Sequence, residues 1–436
     1  MSSANPGLSY DDAPPFSVPL RYFLTAPLFG IAAGALLLID GNALGSRWSP
    51  AALGAVHLVA TGIMLQVMLG ALMQILPVVA GATLLTPLRT ARLTHPLLAG
   101  GSVGLSWGLW QGHPGATLAG AALLAAGLVI FLLAAALAFR RAPSARGRSD
   151  TPRDLRLALI GLLVTAALGV ILATTLARGL SLPIDLPALV NLHAGWAWMG
   201  WGAMLVAATS WVIVPMFQIT PAYPQRLTRI WAPSVLILLA LWSMAAIASL
   251  HGIGIALAGL LCALAIGFGA TTLRLQARSR RSTPDASFLA FRLAMASIIA
   301  GAVAILASLV TEADALPLLA GILILHGGFV GAISAMLYKI VPFLAWLHLT
   351  QARIKAPNVK KLSPDLPVRR QLITHAAALA LLLGSVFLPL LSYAAGAAIM
   401  LEFGWLLGNL ARIVLAWQKA GGRWNPAAAA EGKKYV

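Results

Sequence analysis

The sequence predicts an all-α integral membrane protein of twelve transmembrane helices, arranged as three pseudo-threefold-related four-helix repeats. Composition is the first reason. Hydrophobic residues make up 60% of the 436 positions and charged residues only 10%, with a mean hydropathy of +0.88. Soluble domains use nearer half and a quarter. The second reason is an internal recurrence, the pattern to look for before any other. Three long apolar runs, from Pro50, Pro187 and Pro317, each carry one histidine early and one proline late: His57 with Pro77, His193 with Pro215, and His326 with Pro342. His193 follows His57 by 136 positions, and His326 follows His193 by 133. The third reason is the placement of charge in the links.

Taking about 20 apolar residues as a spanning unit, the helices fall near 22–40, 51–79, 96–112, 115–139, 155–177, 187–217, 230–250, 253–273, 288–310, 316–345, 371–390 and 393–418. The repeats are then about 22–139, 155–273 and 288–418, within a single membrane domain covering 1–436. No basic region or small-residue cleavage site precedes the first apolar run, so a cleaved signal peptide is not expected. Every even-numbered link is basic: Arg89 and Arg92; Arg140, Arg141, Arg146, Arg148 and Arg153; Arg226 and Arg229; Arg274, Arg278, Arg280 and Arg281; then Arg353, Lys355, Lys360, Lys361, Arg369 and Arg370. The odd links hold only Arg47 and Arg178, with Glu312 and Asp314 in one of them. By the positive-inside rule both termini face the cytoplasm. The net charge of +18 is therefore a matter of membrane topology and implies no nucleic-acid partner. The bilayer is the first partner.

Few residues join helices three and four (Gly112 to Gly115) or seven and eight (His251 and Gly252), which makes both pairs antiparallel neighbours. The 41 glycines suit close helix packing in lipid. Segments 140–154 and 351–370 are the expected flexible links, and 421–436 an expected disordered tail. The single cysteine, Cys262, excludes a disulfide framework and a cysteine-based metal site.

With this topology, helices two, six and ten run from outside to inside. His57, His193 and His326 lie seven, six and nine residues after the prolines that open their helices, about 9–14 Å deep at ~1.5 Å per residue. One intramembrane histidine is as often a helix-to-helix hydrogen bond as a functional group; three at one depth favour function. Neutral imidazole ligates metals and haem iron. Gly327 and Gly328 beside His326, and Gly195 beside His193, leave backbone uncovered, which suits a flat macrocycle or plain helix contact.

The pattern resembles subunit I of the haem-copper oxidase superfamily. In length, helix count and the opening PPFSVPLRYFLTAPLFG it looks most like the NnrS family of haem- and copper-containing membrane proteins. The run from His57 through Gln66, Gly70 and Gln74 to Pro77 is similar to the family's low-spin haem helix, and LHGGFVGAISAMLYKIVP to its tenth helix. The resemblance implies a b-type haem with His57 and His326 as axial ligands. The departures are equally specific. Ile324 stands where the second haem's histidine belongs, residues 230–250 contain no histidine, and helices six and seven contain no tyrosine. Copper bound in another way stays open, but an oxidase-type copper site is not expected, nor is oxygen reduction. The oxidases' paired propionate-binding arginines are also missing after helix eleven. Arg47 and Arg178 are the candidates to replace them, against ordinary interfacial solvation.

His193 is a candidate for a second metal or second haem, with an open position for nitric oxide, or for a hydrogen bond to a haem substituent. Trp196, Trp198, Trp201 and Trp211 are expected mainly to pack. His95, His113, His251, His348 and His375 read as interfacial, with His113 and His251 candidate ligands for an external metal ion. Glu402 is expected near mid-membrane, as a proton relay or as a protonated acid bonded to a neighbour. Lys339 reads as snorkelling to the cytoplasmic surface. The resulting expectation is a haem-binding protein of electron transfer or of nitric oxide or metal handling, in a bacterial cytoplasmic (inner) membrane. Quinol or a separate cytochrome would be its electron donor. The contrasting expectation is a secondary transporter or a metal-delivery protein using the intramembrane His and Glu residues. Whether the chain turns over a substrate is left open by its residues.

Overall fold

A computed structural model describes residues 13–142, 149–311 and 313–424. Parts of the expected flexible link 140–154 and of the expected tail 421–436 lie outside the described residues, as does Glu312. The described residues are helical without strands. Long helices occupy every predicted stretch: α1 Ser17–Ile39, α2 Pro50–Ala80, α3 Pro87–Trp110, α4 Pro114–Arg141, α5 Thr151–Arg178, α6 Leu186–Gln218, α7 Gln225–Ile247, α8 His251–Ala277, α9 Ala286–Ser308, α10 Ala315–Gln351, α11 Asp365–Ser385 and α12 Leu391–Lys419. Ten are long and apolar enough to cross a membrane; α3 and α11, which open on polar and charged turns, are the two that are not among them.

Helix starts are set by local chemistry. The Ser49 hydroxyl accepts from Ala52 N ahead of Pro50, and the Asp185 carboxylate accepts from Ala188 N ahead of Pro187, so donors that lack an intrahelical partner are satisfied. Pro77, Pro215 and Pro342 all lie inside their helices near the far end. Gly81 closes α2 in the left-handed region at φ 60°, where a side chain would be strained.

Three helices form the interior. Of the most apolar stretch in each span, 83% in α2, 61% in α6 and 67% in α10 is buried, more than in any other span. They meet around a small cavity of about 70 Å³, lined by Met68 and Leu72 from α2, Val206 and Ile213 from α6, and Ile333 and Leu337 from α10. Each also departs from α-helical geometry in the same part of its length. Leu58–Met64, Trp196–Ala203 and Leu323–Val330 are π-helical. His57 immediately precedes the first, His193 lies three residues before the second, and His326 is within the third.

Small residues set the closest contacts. A β-carbon on Gly161 of α5 would lie 1.8 Å from the Gly200 carbonyl oxygen in the π segment of α6. One on Gly120 of α4 would lie 2.1 Å from Leu105 N of α3. In lipid, where apolar side chains gain nothing by leaving the solvent, such backbone approaches supply the packing. Lys339 does not simply snorkel: its ammonium donates to the Asp285 carboxylate, which Arg281 also pairs with.

Candidate metal centre

The π segment of α10 buries His326; α11 and α12 bury His375 and Glu402 against it. Their exposures are 6%, 2% and 0%. On α11 the side chains buried toward the bundle are Val368, Gln371, His375, Ala378, Leu379 and Leu382, a stripe at three- and four-residue spacing that faces the bundle. His375 lies on this stripe, ten residues into the helix. The interfacial expectation for His375 is thereby corrected. That expectation placed the start of helix eleven at residue 371, whereas the polar turn before it is already helical and carries His375 into the interior.

The carboxylate of Glu402 lies between two imidazoles. Its Oε1 accepts from His375 Nδ1 at 2.9 Å and, more weakly, from Gln371 Nε2 at 3.5 Å. Oε2 lies 3.2 Å from His326 Nε2. That second approach lacks hydrogen-bond geometry, and both atoms remain without a hydrogen-bond partner, as does His375 Nε2. The two rings stack with centroids 4.7 Å apart and planes 25° from parallel. One ligating atom from each of the three residues lies within 4.8 Å of the others.

Buried polar atoms are nearly always bonded, and a buried carboxylate is costly unless compensated. Among the described residues no lysine or arginine pairs with Glu402; its ion-pairing partners are the two histidines. Two imidazole nitrogens and one carboxylate oxygen within 4.8 Å of one another, with an unbonded atom on each residue, are a donor set for a divalent first-row transition ion. The backbone helps make room. Gly331 leaves His375 Nε2 uncovered, since a β-carbon there would lie 3.1 Å away. Toward the other end of α12, Asn409 Nδ2 donates to Tyr338 Oη at 2.9 Å and to the Pro367 carbonyl at 3.3 Å, tying α10, α11 and α12 together.

The three recurrent histidines do not form one ligand group: among the described residues His326, His375 and Glu402 are the single set of three that could hold a metal. His57 and His193 belong to no such set. His57 Nδ1 donates to the Leu53 carbonyl at 2.8 Å, which leaves Nε2 as the lone-pair nitrogen. His193 packs against Gly169 and its Nδ1 has no hydrogen-bond partner. Arg47 reaches Asn191 on α6, whereas Arg178 is exposed at the end of α5. Of the other histidines, His113 and His251 are exposed at the starts of α4 and α8. His95 and His348 fall within helices: His95 Nε2 shares a hydrogen bond with Thr25 Oγ1 at 2.8 Å, and His348 stacks on Phe16.

No known family's sequence pattern matches the chain, and no curated protein is recognisably similar to it. The functional reading therefore stands on these residues.

Proposed function

We propose that this chain is a transition-metal-binding protein of the cytoplasmic membrane, holding a divalent ion through His326, His375 and Glu402. The observation that carries the proposal is the buried carboxylate between two stacked imidazoles, each of the three residues keeping an atom without a hydrogen-bond partner. Ionisable groups at membrane depth mark functional sites by default. We further propose that all twelve helices span, as three four-helix repeats with both termini on the basic, cytoplasmic side. The π segments beside all three recurrent histidines and the convergence of α2, α6 and α10 support that arrangement.

The resemblance to haem-copper oxidase subunit I and the NnrS family supports a second reading, a b-type haem ligated by His57 and His326. One observation favours it: His57 keeps Nε2 as its lone-pair nitrogen. His326 fits it less well, because its Nε2 is directed at Glu402 and its ring is stacked on His375. On that reading the haem would supply the redox chemistry and the chain its ligation and access. A quinol or cytochrome donor and nitric oxide binding belong to the same reading.

The readings separate through His375 and His57. Metal analysis and absorption spectra of the purified protein, loaded with Zn(II), Mn(II) or Fe(II), are compared with His57→Ala, His326→Ala and His375→Ala. One ion per chain, lost in His326→Ala and His375→Ala but kept in His57→Ala, supports the metal centre. A haem spectrum lost in His57→Ala and His326→Ala, and kept in His375→Ala, replaces it with the second reading. A colourless protein that takes up no ion refutes both.

A further inference from the structure

A second site lies apart from the metal centre. Helices α6 to α10 line a cavity of about 360 Å³ whose walls are mostly apolar, Trp198, Met199, Trp242, Cys262 and Phe329 among them. No histidine lines it, so a haem there would have no imidazole ligand. Along α6 its wall extends from Asn191 to Val206, roughly 22 Å at the helical rise. Spread over that length, about 360 Å³ of room for the centre of a water molecule corresponds to walls roughly 7 Å apart, since a water's ~1.4 Å radius adds on each side. An extended polymethylene chain fits between them.

Charge enters the lining at one end only, through Arg47. This residue comes from the α1–α2 link and so reaches the cavity from another part of the bundle. Its Nη1 donates to Asn191 Oδ1 at 3.0 Å, and its guanidinium lies 4.4 Å over the Trp48 ring. Among the described residues no carboxylate pairs with it, although the residue is half-buried. Burial disfavours its charged form and lowers its pKa. At the exposed mouth of this apolar hollow the guanidinium has donors to spare, and its fork geometry suits carboxylate and phosphate oxygens in two-point contact.

We propose that this cavity binds a single-chain amphiphile with an anionic oxygen head group, a fatty carboxylate or an alkyl phosphate. The chain lies between α6 and α10, and the head is held by Arg47 and the amide of Asn191. The site shares no residue with the metal centre.

Cys262 provides the test, because it is the only cysteine in the chain and it lines the cavity. The protein in phosphatidylcholine nanodiscs is labelled with a membrane-permeant maleimide, in the presence of palmitate, hexadecyl phosphate or methyl palmitate. Saturable protection by palmitate or hexadecyl phosphate, with methyl palmitate at least tenfold weaker, supports the proposal; the more protective anion identifies the head group. Arg47→Gln is expected to raise the half-protecting concentration at least tenfold, and Asn191→Leu to raise it severalfold with Arg47 intact. Protection by methyl palmitate equal to that by the anions, or protection unchanged in both variants, overturns the anion site. Absence of protection by all three compounds overturns the cavity as a binding site.

Discussion

His375→Ala separates a buried ligand from an interfacial histidine by its cost. In the folded chain His375 Nδ1 donates to an anionic oxygen at 2.9 Å, and the ring fills space between α10 and α12. Losing a hydrogen bond to a charged group costs about 1.5–3 kcal/mol. Emptying a buried ring position adds a cavity term, which brings aromatic-to-alanine changes to about 3–5 kcal/mol. We take about 4 kcal/mol for the sum. With ~2.1 cal/mol/K of unfolding entropy per residue, a cooperative unit of this size melts with roughly 0.9 kcal/mol/K, so the melting temperature falls by ~4 °C. An interfacial histidine would cost under about 0.5 kcal/mol, a shift below roughly 1 °C. Loss of helical circular dichroism on heating in detergent reports the unfolding. Metal analysis of the same samples should show the ion lost. Gly331→Ala, whose β-carbon would crowd His375 Nε2 at 3.1 Å, should lower metal occupancy while all three ligands remain. An unshifted melt together with undiminished metal in His375→Ala would refute the buried-ligand argument.

Two further outcomes test the scaffold. Asp285 caps α9 through Phe288 N at 3.0 Å and pairs with Lys339 and Arg281. Burial pushes its pKa up, but the Lys339 contact, the cap and Arg281 outweigh burial and hold it below the usual aspartate value. A depressed folded pKa gives stability that is present above the unfolded value of ~3.9 and lost as pH falls through the folded one. Asn keeps the cap, so Asp285→Asn should melt lower than wild type at neutral pH by the lost ion pairs to Lys339 and Arg281, about 0.2–1 kcal/mol each. The gap should close below roughly pH 4; a gap unchanged across an acid titration contradicts the assignment. Separately, Gly161→Ala must force α5 from α6, because its β-carbon would lie 1.8 Å from the Gly200 oxygen. The expected cost is at or above the ~1–3 kcal/mol of ordinary overpacking. Gly267→Ala on α8, with nothing within 4 Å of the new carbon, should be neutral or slightly stabilising; equal melts for the two variants would count against the helix packing.

Membrane character and the positions of the long helices were legible because each depends on a one-dimensional pattern, the length of an apolar run bounded by charged links. The interior role of α2, α6 and α10 was legible too, through the spacing of His57, His193 and His326. Partners across helices were not. His375 and Glu402 are separated by 27 positions and an entire interhelical link, and no periodicity ties one to the other. A signal did exist within α11. Gln371 and His375 stand four apart in phase with the buried residues Leu379 and Leu382, so a helical register carried back to Asp365 would have turned His375 inward. The boundary at residue 371 concealed it, because an apolar-run criterion begins a helix where hydropathy begins and discounts the polar first turns.

The π segments are the remaining link between the recurrence and the chemistry. A π turn adds a residue per turn and is less favourable than the α-helix it interrupts, so it is rare and gathers at functional positions. Here the chain adopts one beside each recurrent histidine, in helices that otherwise run unbroken for 31, 33 and 37 residues. In α10 the consequence is visible: His326 is turned toward α11 and α12, and Gly331, the first residue beyond the segment, lies opposite His375. In α2 and α6 the corresponding segments stand beside His57 and His193, which have ring nitrogens to spare but no carboxylate partner among the described residues. One backbone device thus lies beside histidines in two settings, one completed by a second imidazole and a carboxylate and one without them. This difference is why His326 is the recurrent histidine assigned to a metal, and why substitution of His57 is the control that distinguishes a metal centre from a haem.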